Sequence, residues 1–234
     1  MQAIILCGGL GTRLRSVIGE NQKTMTEING EPFVVNVIKH IKKYGVNDIM
    51  FSTGYKSDDV EKFFGKDFYF GMQVSYAKEE SPLGTGGAIR NCLSLIKGTE
   101  VLVVNGDTLF PCEIDMLLEN FKANNADISI ACKSIEDKTR YGTIVFKDEK
   151  TGIIDKFDEK KEDSDEESYI NGGVYIMKKS LIESINQGEK ISLEKDLIPK
   201  WLTEGKVVSG IVSNESFIDI GTPESLQQFK DANA

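Results

Sequence analysis

The sequence predicts an α/β fold in which helices cover both faces of a mixed, mostly parallel central sheet. Two patterns support this class. In the first half, short apolar runs typical of buried strands alternate with amphipathic stretches of helical period. After residue 127 the chain changes to strand-rich segments separated by turns. Because strands that alternate with helices are joined by right-handed crossovers, the first half predicts the parallel part of the sheet.

Eight elements are predicted in the first half. The strands are residues 3–7, 48–53, 73–77 and 101–105, and the helices are residues 32–44, 57–64, 87–96 and 114–123. Ligands bind outside the carboxyl ends of parallel strands in such sheets. The loops that follow residues 7 and 105 are therefore expected to lie at one rim.

Six strands and a terminal helix are predicted in the second half. Thr222 and Pro223 mark the start of the helix, since Thr is a favoured N-cap and Pro is favoured at the first helical position. Residues 158–168 are almost wholly charged and are expected to form a mobile excursion. The predicted strands are residues 128–133, 142–146, 153–157, 169–177, 207–212 and 217–220.

Size and composition are those of an ordinary globular chain. The 234 residues are 40% hydrophobic and 28% charged, and we expect one domain whose halves are residues 1–126 and 127–234. A formal net charge of −9 argues against nucleic acid or an anionic membrane as a partner. No apolar run has the length of a membrane span, and the N-terminal run lacks the features of a signal peptide, so a cytoplasmic location is expected. The sequence leaves a homo-oligomer open.

The cysteines and the histidine form no catalytic pattern. Cys7, Cys92, Cys112 and Cys132 stand far apart, without the Cys-x-x-Cys spacing of zinc or redox motifs, and are expected to be reduced and mostly buried. The single histidine, His40, falls in a predicted helix and is expected to be structural.

A glycine-rich turn with an arginine follows the first predicted strand. Gly8, Gly9 and Gly11 let the backbone approach a ligand and direct N–H groups toward it, and Arg13 adds positive charge. A plain strand-to-helix turn needs neither three glycines nor an arginine, so a phosphate site is predicted. The Walker pattern is excluded because no Gly-Lys-Ser/Thr follows, and the dinucleotide fingerprint is excluded because residue 14 is Leu.

Four further segments carry candidate functional groups. Asp107 follows the strand at 101–105 and is either a metal ligand or a cap of the next turn. The glycine-rich segment at residues 82–88 precedes an apolar helix pattern and is either a ligand loop or a helix entry. Lys23 and Lys160 are further candidates, for which the ordinary alternative is a solvated surface lysine.

These segments, taken in order, are similar to the motifs of the nucleotidyltransferases that activate sugar 1-phosphates. The first motif is Gly8-Gly-Leu-Gly-Thr-Arg-Leu14, and the others lie near residues 84, 107, 159, 171 and 219. The resemblance covers nearly the whole chain. It implies a Rossmann-like three-layer fold of the nucleotide-diphospho-sugar transferase type. It also implies attack of a sugar 1-phosphate on a nucleoside triphosphate, with release of pyrophosphate.

The resemblance implies roles for particular residues. Phosphate charge would be neutralised by Arg13, Lys23 and Lys160, and Mg²⁺ would be held by Asp107 and Asp219. Thr24 stands where the family usually has a proline after the lysine, which removes a stiffening residue. Nucleotide contacts would come from Leu6, Gly8, Gly9, Gly11, Thr12, Gly84, Thr85, Gly86 and Gly87. Sugar-phosphate contacts would come from Asn105, Gly142, Glu159 and Asn171.

The substrates follow from resemblance alone. Residues 1–17, 29–33 and 192–196 are most similar to bacterial heptose 1-phosphate guanylyltransferases, which implies GTP and D-glycero-α-D-manno-heptose 1-phosphate. Uridylyl, cytidylyl or thymidylyl transfer to a hexose 1-phosphate or another phosphorylated small molecule remains an alternative. A catalytically silent nucleotide-sugar sensor is disfavoured, because the predicted metal and phosphate ligands are retained.

Overall fold

The structure is a computed structural model that describes residues 1–9, 11, 14–134, 142–159 and 169–232. Its strands are β1 (Gln2–Cys7), β2 (Glu27–Ile28), β3 (Glu31–Pro32), β4 (Asp48–Thr53), β5 (Phe68–Tyr69), β6 (Met72–Lys78), β7 (Glu100–Asn105), β8 (Thr108–Leu109), β9 (Ile128–Lys133), β10 (Gly142–Asp148), β11 (Ile153–Glu159), β12 (Tyr169–Lys178), β13 (Val208–Ser213) and β14 (Ile218–Asp219). Its α-helices are α1 (Arg15–Ile18), α2 (Phe33–Lys42), α3 (Ser57–Phe64), α4 (Gly84–Asn91), α5 (Ile114–Ala123), α6 (Lys179–Glu183), α7 (Ile198–Thr203) and α8 (Pro223–Ala232).

Ten of these strands form one sheet that includes strands from both halves of the chain. The strand order is β10-β11-β13-β9-β12-β7-β1-β4-β6-β5. The neighbours β7, β1, β4 and β6 are parallel, and all four come from the first half, where strands alternate with helices. Followed from neighbour to neighbour, only β5, β11 and β12 of this described sheet run against the other strands. The predicted mixed, mostly parallel sheet is confirmed.

Strand β1 separates two apolar layers, because successive side chains of a strand point to opposite faces. Ala3 and Ile5 belong to a buried cluster that also contains residues of α2, α3, α5 and α8. Ile4 belongs to a second cluster, which contains Ile89 of α4 and Trp201 of α7. Helices thus cover both faces of the sheet, as the three-layer prediction requires.

Most predicted elements occur within one or two residues of their expected bounds. The helix expected at 87–96 begins earlier, at Gly84, and ends at Asn91 before a 3₁₀ turn, Leu93–Leu95. The π-helical segment Leu193–Leu197, which leads into α7, is not evident from the sequence. Beyond residue 159, the charged excursion expected at 158–168 lies outside the described residues. The described helices include none that is long and apolar enough to cross a membrane.

Three local predictions are confirmed by side-chain contacts. Thr222 caps α8, where its Oγ1 accepts a hydrogen bond from the backbone N of Ser225 at 3.3 Å. All four cysteines are buried and free. His40 is buried, with Nε2 3.1 Å from the carbonyl oxygen of Cys112, and burial lowers its pKa.

A small antiparallel ribbon connects the end of the chain to its first half. Strand β14 pairs with β8, which sets Asp219 opposite Thr108. The backbone N of Ile220 also donates to the carbonyl oxygen of Asp107 at 3.1 Å. Gly106 N donates to the carbonyl oxygen of Leu6 at 3.0 Å. Leu6 lies just before the first glycine-rich loop, so the ribbon lies at the same rim of the sheet as that loop. Both predicted rim loops therefore meet, and Asp219 joins them.

Candidate active site

A cavity of about 410 Å³ opens at this rim. It is lined by residues of both glycine-rich segments and by the loop after β7. The lining includes eight residues singled out from the sequence, namely Leu6, Gly8, Gly9, Gly11, Gly84, Thr85, Asn105 and Asp107. The folded chain thus joins the two glycine segments in one concave site, although more than seventy residues separate them in the sequence.

The first glycine loop makes close contacts with neighbouring side chains, and one of its glycines has a left-handed backbone conformation. Gly11 has φ +57°, and a Cβ added there would lie 3.3 Å from Cβ of Lys23. A Cβ on Gly8 would lie 2.6 Å from Oε1 of Glu79. The predicted contacts Thr12 and Arg13 lie outside the described residues. The described part of the loop therefore packs directly on two charged side chains.

Lys23 forms an ion pair with the first predicted metal ligand and lies near the second. Its Nζ atom is 2.6 Å from Oδ2 of Asp107 and 3.7 Å from Oδ1 of Asp219. Only 12% of its side chain is exposed, so Lys23 is not a solvated surface lysine. The structure brings together three of the predicted charged site residues.

Thr24 stabilises the turn that carries Lys23 by hydrogen bonding. Its Oγ1 donates to Oε1 of Gln22 at 2.6 Å, and the same oxygen accepts from the backbone N of Met25 at 3.0 Å. The Gln22 side chain also donates to the carbonyl oxygen of Cys7, at the end of β1. Gln22 and Thr24 are buried. The hydrogen-bonded side chains of Gln22 and Thr24 thus hold in place the turn that, in the family, is usually stiffened by a proline at the position of Thr24.

The carboxylates of Asp107 and Asp219 are suitable donors for a hard divalent cation. Among the described residues, no group of three or more His, Cys, Asp or Glu side chains could hold a metal ion. Mg²⁺, however, is commonly bound by one or two carboxylates together with substrate phosphates and water. The residues present therefore fit an ion that is shared with a phosphorylated substrate.

The second glycine segment packs against residues 189–197, which we call the brace. Ile191 N donates to Leu83 O at 2.8 Å, and Gly86 N and Gly87 N donate to Ile191 O at 3.0 and 3.3 Å. A Cβ on Gly84 would lie 2.6 Å from this same carbonyl oxygen. Gly86 and Gly87 are not among the residues that line the cavity, whereas Gly84 and Thr85 are. The glycines at 86 and 87 thus serve close packing on the brace.

Two charged residues of the cavity are not singled out by the sequence motifs. Glu79 follows β6 and is 9% exposed, and its Oε2 accepts from Leu83 N at 2.9 Å. Burial raises the pKa of the Glu79 carboxyl, although the Leu83 hydrogen bond opposes this. Lys190 of the brace also lines the cavity. The sequence signal for Glu79 is weak because its neighbour Glu80 is equally acidic, yet Glu80 is exposed.

The predicted sugar-phosphate residues meet through strand pairing. In β10, Gly142 pairs with Glu159 of β11, and Thr143 pairs with Ile170 of β12, the residue before Asn171. The Asn171 side chain lies in a bulge of β12, where Oδ1 accepts from Gly173 N at 3.0 Å. The Glu159 side chain and all of Lys160 lie outside what the structure describes.

A Rossmann-like sheet, two loops that line one cavity and a pair of carboxylates beside a lysine define the class of site found in nucleotidyltransferases. The chain belongs to the nucleotidyl transferase family, whose model matches residues 2–234. It is therefore a nucleotidyltransferase enzyme, and the resemblance found in the sequence is confirmed.

Individual relatives are similar over their full lengths. The chain is 39% identical over 228 residues to the D-glycero-alpha-D-manno-heptose 1-phosphate guanylyltransferase of Aneurinibacillus thermoaerophilus, covering 97% of this chain and 96% of that protein. It is 38% identical over 229 residues to the enzyme of the same name from Campylobacter jejuni, covering 98% of each. The crystal structure of HddC from Yersinia pseudotuberculosis complexed with GMP-PN has a TM-score of 0.83 and 33% identity, covering 99% of this chain and 98% of that one.

Proposed function

We propose that this enzyme joins GTP to D-glycero-α-D-manno-heptose 1-phosphate, releasing pyrophosphate and forming the corresponding GDP-heptose. The observation that carries the choice of nucleotide is the buried Glu79 carboxylate in the cavity wall. The similarity to two heptose 1-phosphate guanylyltransferases supports the choice of sugar.

Glu79 suits guanine because of the hydrogen-bonding pattern of that base. Guanine presents two adjacent donors, N1–H and the N2 amino group, and a carboxylate accepts two such bonds side by side. Uracil and thymine present one donor flanked by carbonyl oxygens, and cytosine presents an acceptor beside its amino group. A carboxylate would face at least one lone pair on each of these bases, which is unfavourable in a buried site.

The proposed reaction needs positioning and charge neutralisation more than acid–base catalysis. A phosphate oxygen of the sugar 1-phosphate is already an anionic nucleophile, and it attacks the α-phosphorus as the bond to pyrophosphate breaks. Gly8, Gly9 and Gly11 would cradle the nucleotide phosphates, and Lys23 would turn its ammonium group toward them. Mg²⁺ held by Asp107 and Asp219 would supply a further positive charge to the phosphates.

The sugar side of the site is proposed from the second half of the chain. Asn171 retains one N–H and one oxygen lone pair beyond its internal hydrogen bonds, which suits a sugar hydroxyl. Asn105 and the backbone at Gly142 would border the same pocket. Arg13, Glu159 and Lys160 keep the roles that the family resemblance implies, with Lys160 neutralising the sugar phosphate.

The test is pyrophosphate release measured with GTP, CTP, UTP and dTTP, each with heptose and hexose 1-phosphates. The wild-type enzyme should have its highest kcat/KM with GTP and the heptose. Glu79→Gln should lower kcat/KM for GTP by about 10- to 100-fold, since it replaces one of the two accepting oxygens of the carboxylate with an amino group and removes the negative charge. It should lower the values for UTP and dTTP much less. Glu80→Gln is the matched control, because Glu80 is the exposed neighbour, and should leave the GTP preference unchanged.

Two results would overturn the proposal. A wild-type preference for another nucleotide, or for a hexose 1-phosphate, would reject the GTP–heptose pair while leaving nucleotidyl transfer intact. An unchanged GTP preference in Glu79→Gln would reject Glu79 as the residue that reads the base.

A further inference from the structure

A chain of hydrogen bonds joins the predicted sugar residue to the second glycine segment. Asn171 Nδ2 donates to the hydroxyl oxygen of Tyr175 at 2.5 Å, and Tyr175 donates to Oε1 of Glu194 at 3.1 Å. Oε2 of Glu194 accepts from Thr85 Oγ1 at 2.6 Å and from Ser192 Oγ at 3.0 Å. Glu194 lies in the π-helical part of the brace, so it contacts groups from three separate segments.

The direction of each hydrogen bond in this chain is fixed by backbone donors. Gly173 N donates to Asn171, which identifies the accepting atom as Oδ1 and leaves Nδ2 facing Tyr175. Leu193 N donates to Thr85 Oγ1 at 2.8 Å, and Lys195 N donates to Ser192 Oγ at 3.1 Å. Each hydroxyl therefore accepts from a nitrogen and directs its own proton to the carboxylate. Glu194 is an acceptor for all three hydroxyl groups.

The two ends of this series of hydrogen bonds, at Asn171 and at Thr85, are not held equally firmly. The glycine segment has its own backbone bonds to Ile191, and Thr85 keeps the bond from Leu193 N. The orientation of the Asn171 amide, in contrast, depends on Gly173 N and on Tyr175, a fully buried residue whose hydroxyl donates to Glu194. Asn171 and Gly173 also lie in the bulge of β12, where a Cβ on Gly173 would be 2.7 Å from Nδ2 of Asn105. A change at Glu194 should therefore disturb the sugar side of the site more than the nucleotide side.

We propose that Glu194 is a positioning residue that, through Tyr175, fixes the Asn171 amide for a sugar hydroxyl. This inference rests on the proposed function in one respect, because it takes the ligand of Asn171 to be the sugar of a sugar 1-phosphate. It adds a residue of the brace that touches no substrate and selectively controls sugar-phosphate recognition.

The experiment measures KM and kcat for both substrates in Glu194→Gln and Tyr175→Phe. The Gln variant keeps the shape of the side chain but places an amino group against hydroxyls that already accept hydrogen bonds. Both variants should raise KM for the sugar 1-phosphate by about 10-fold and change KM for the nucleotide less than about twofold. The double variant should be no worse than Glu194→Gln alone, because the two residues act in one chain.

The exposed pair Tyr44–Glu113 provides matched controls. Tyr44 donates to Oε2 of Glu113 at 3.2 Å, and neither residue lines the cavity. Tyr44→Phe and Glu113→Gln remove the same kind of bond and should leave both KM values within about twofold of wild type. Thermal unfolding of all five variants separates loss of stability from the selective loss of sugar binding.

Two outcomes would overturn the inference. The first is an unchanged KM for the sugar 1-phosphate in both Glu194→Gln and Tyr175→Phe. The second is an equal rise in KM for both substrates, which would indicate a general structural role. The assay uses whichever nucleotide and sugar 1-phosphate the wild-type enzyme prefers, with calorimetric binding of the sugar phosphate as a second readout. The wild-type enzyme alone tests the GTP–heptose proposal, whereas the variants test the role of Glu194. A failure of one proposal is therefore distinguishable from a failure of the other.

Discussion

The ammonium group of Lys23 lies 2.6 Å from Oδ2 of Asp107, and 12% of the lysine side chain is exposed. Asp219 comes within 3.7 Å of the same nitrogen because the ribbon of β8 and β14 holds the end of the chain at this rim. One ammonium group is thus shared by two carboxylates from opposite halves of the chain, which leaves the group of three side chains with a net negative charge. A divalent ion bound by these carboxylates would compete with Lys23 for their charge.

Lys23→Met should make the free enzyme more dependent on divalent ions. Without the ammonium group, Asp107 and Asp219 repel each other, and Mg²⁺ should raise the melting temperature of the variant more than that of wild type. Turnover should fall by about 10²-fold, since the charge proposed to stabilise the phosphates is lost. Melting curves across a Mg²⁺ titration provide the measurement. Lys39→Met, which removes an exposed pair with Glu31, is the control. An equal Mg²⁺ response in wild type and Lys23→Met would contradict the competition.

Asp107→Asn and Asp219→Asn should each reduce turnover far more than stability. We expect kcat/KM to fall by roughly 10²- to 10³-fold, because each change removes a charged ligand of the proposed Mg²⁺. The melting temperature should change by less than about 3 °C, which corresponds to about 1 kcal/mol for a chain of this size. Asp58→Asn, at an exposed pair with Lys78, should change neither quantity appreciably. Wild-type turnover in both site variants, or full activity in excess chelator, would refute the metal assignment.

Thr24→Val should weaken the turn that carries Lys23. The variant keeps the volume of the side chain and loses the hydrogen bond to Gln22, which should cost about 1 kcal/mol. The melting temperature should fall by roughly 2–4 °C, and kcat should fall with it as Lys23 becomes less well placed. Thr203→Val removes an exposed hydroxyl bond to the Lys200 carbonyl oxygen and serves as the control. Unchanged stability and kcat would show that the hydroxyl does not stabilise this segment.

The stability of the free enzyme should depend on pH through the ionisation of the Glu79 carboxyl group. Burial raises the pKa of this carboxyl above its ordinary value of 4.5. At low pH both the folded and unfolded states hold the proton, whereas above the raised pKa only the folded state buries a charge. The contribution of Glu79 to the free energy of unfolding therefore decreases as pH rises from 4.5 through the folded pKa.

Denaturant unfolding of Glu79→Gln measures this effect. The variant cannot ionise at this position, so it should gain stability relative to wild type between pH 4 and pH 7. Glu80→Gln, at the exposed neighbouring residue, is the matched control. A constant difference between Glu79→Gln and wild type over this range would contradict the raised pKa.

The four thiols should be unreactive in the folded protein. All are buried, and burial raises the pKa of Cys7, Cys92 and Cys112 to about 12 and that of Cys132 as well. Against an ordinary value of 9.0, a rise to about 12 lowers the thiolate fraction at pH 8 by about 10³-fold. A chromogenic disulfide reagent should therefore label all four only on unfolding, with rates that follow denaturant concentration. Rapid labelling of a native thiol would show that the cavity admits the reagent to Cys7 or that another thiol is accessible.

Local patterns in the sequence were sufficient for most of the fold and for the family. Strands at 48–53 and 128–133 and helices at 57–64 and 114–123 have the predicted bounds, because each is set by short-range periodicity and end signals. The first glycine loop was recognisable because the phosphate site predicted there is formed by consecutive residues. The resemblance of the same residues to a family motif identified the correct family.

Only the tertiary structure decided which distant groups meet. The ion pair of Lys23 with Asp107, the brace that requires glycine at 86 and 87, and the carboxylate of Glu194 between Tyr175 and Thr85 all join residues that are far apart in the chain. Such contacts depend on strand order and side-chain packing, which leave no periodic trace in the sequence. Glu79 illustrates the same limit, since it and Glu80 are the same residue type, and their different burial arises only from the folded surroundings.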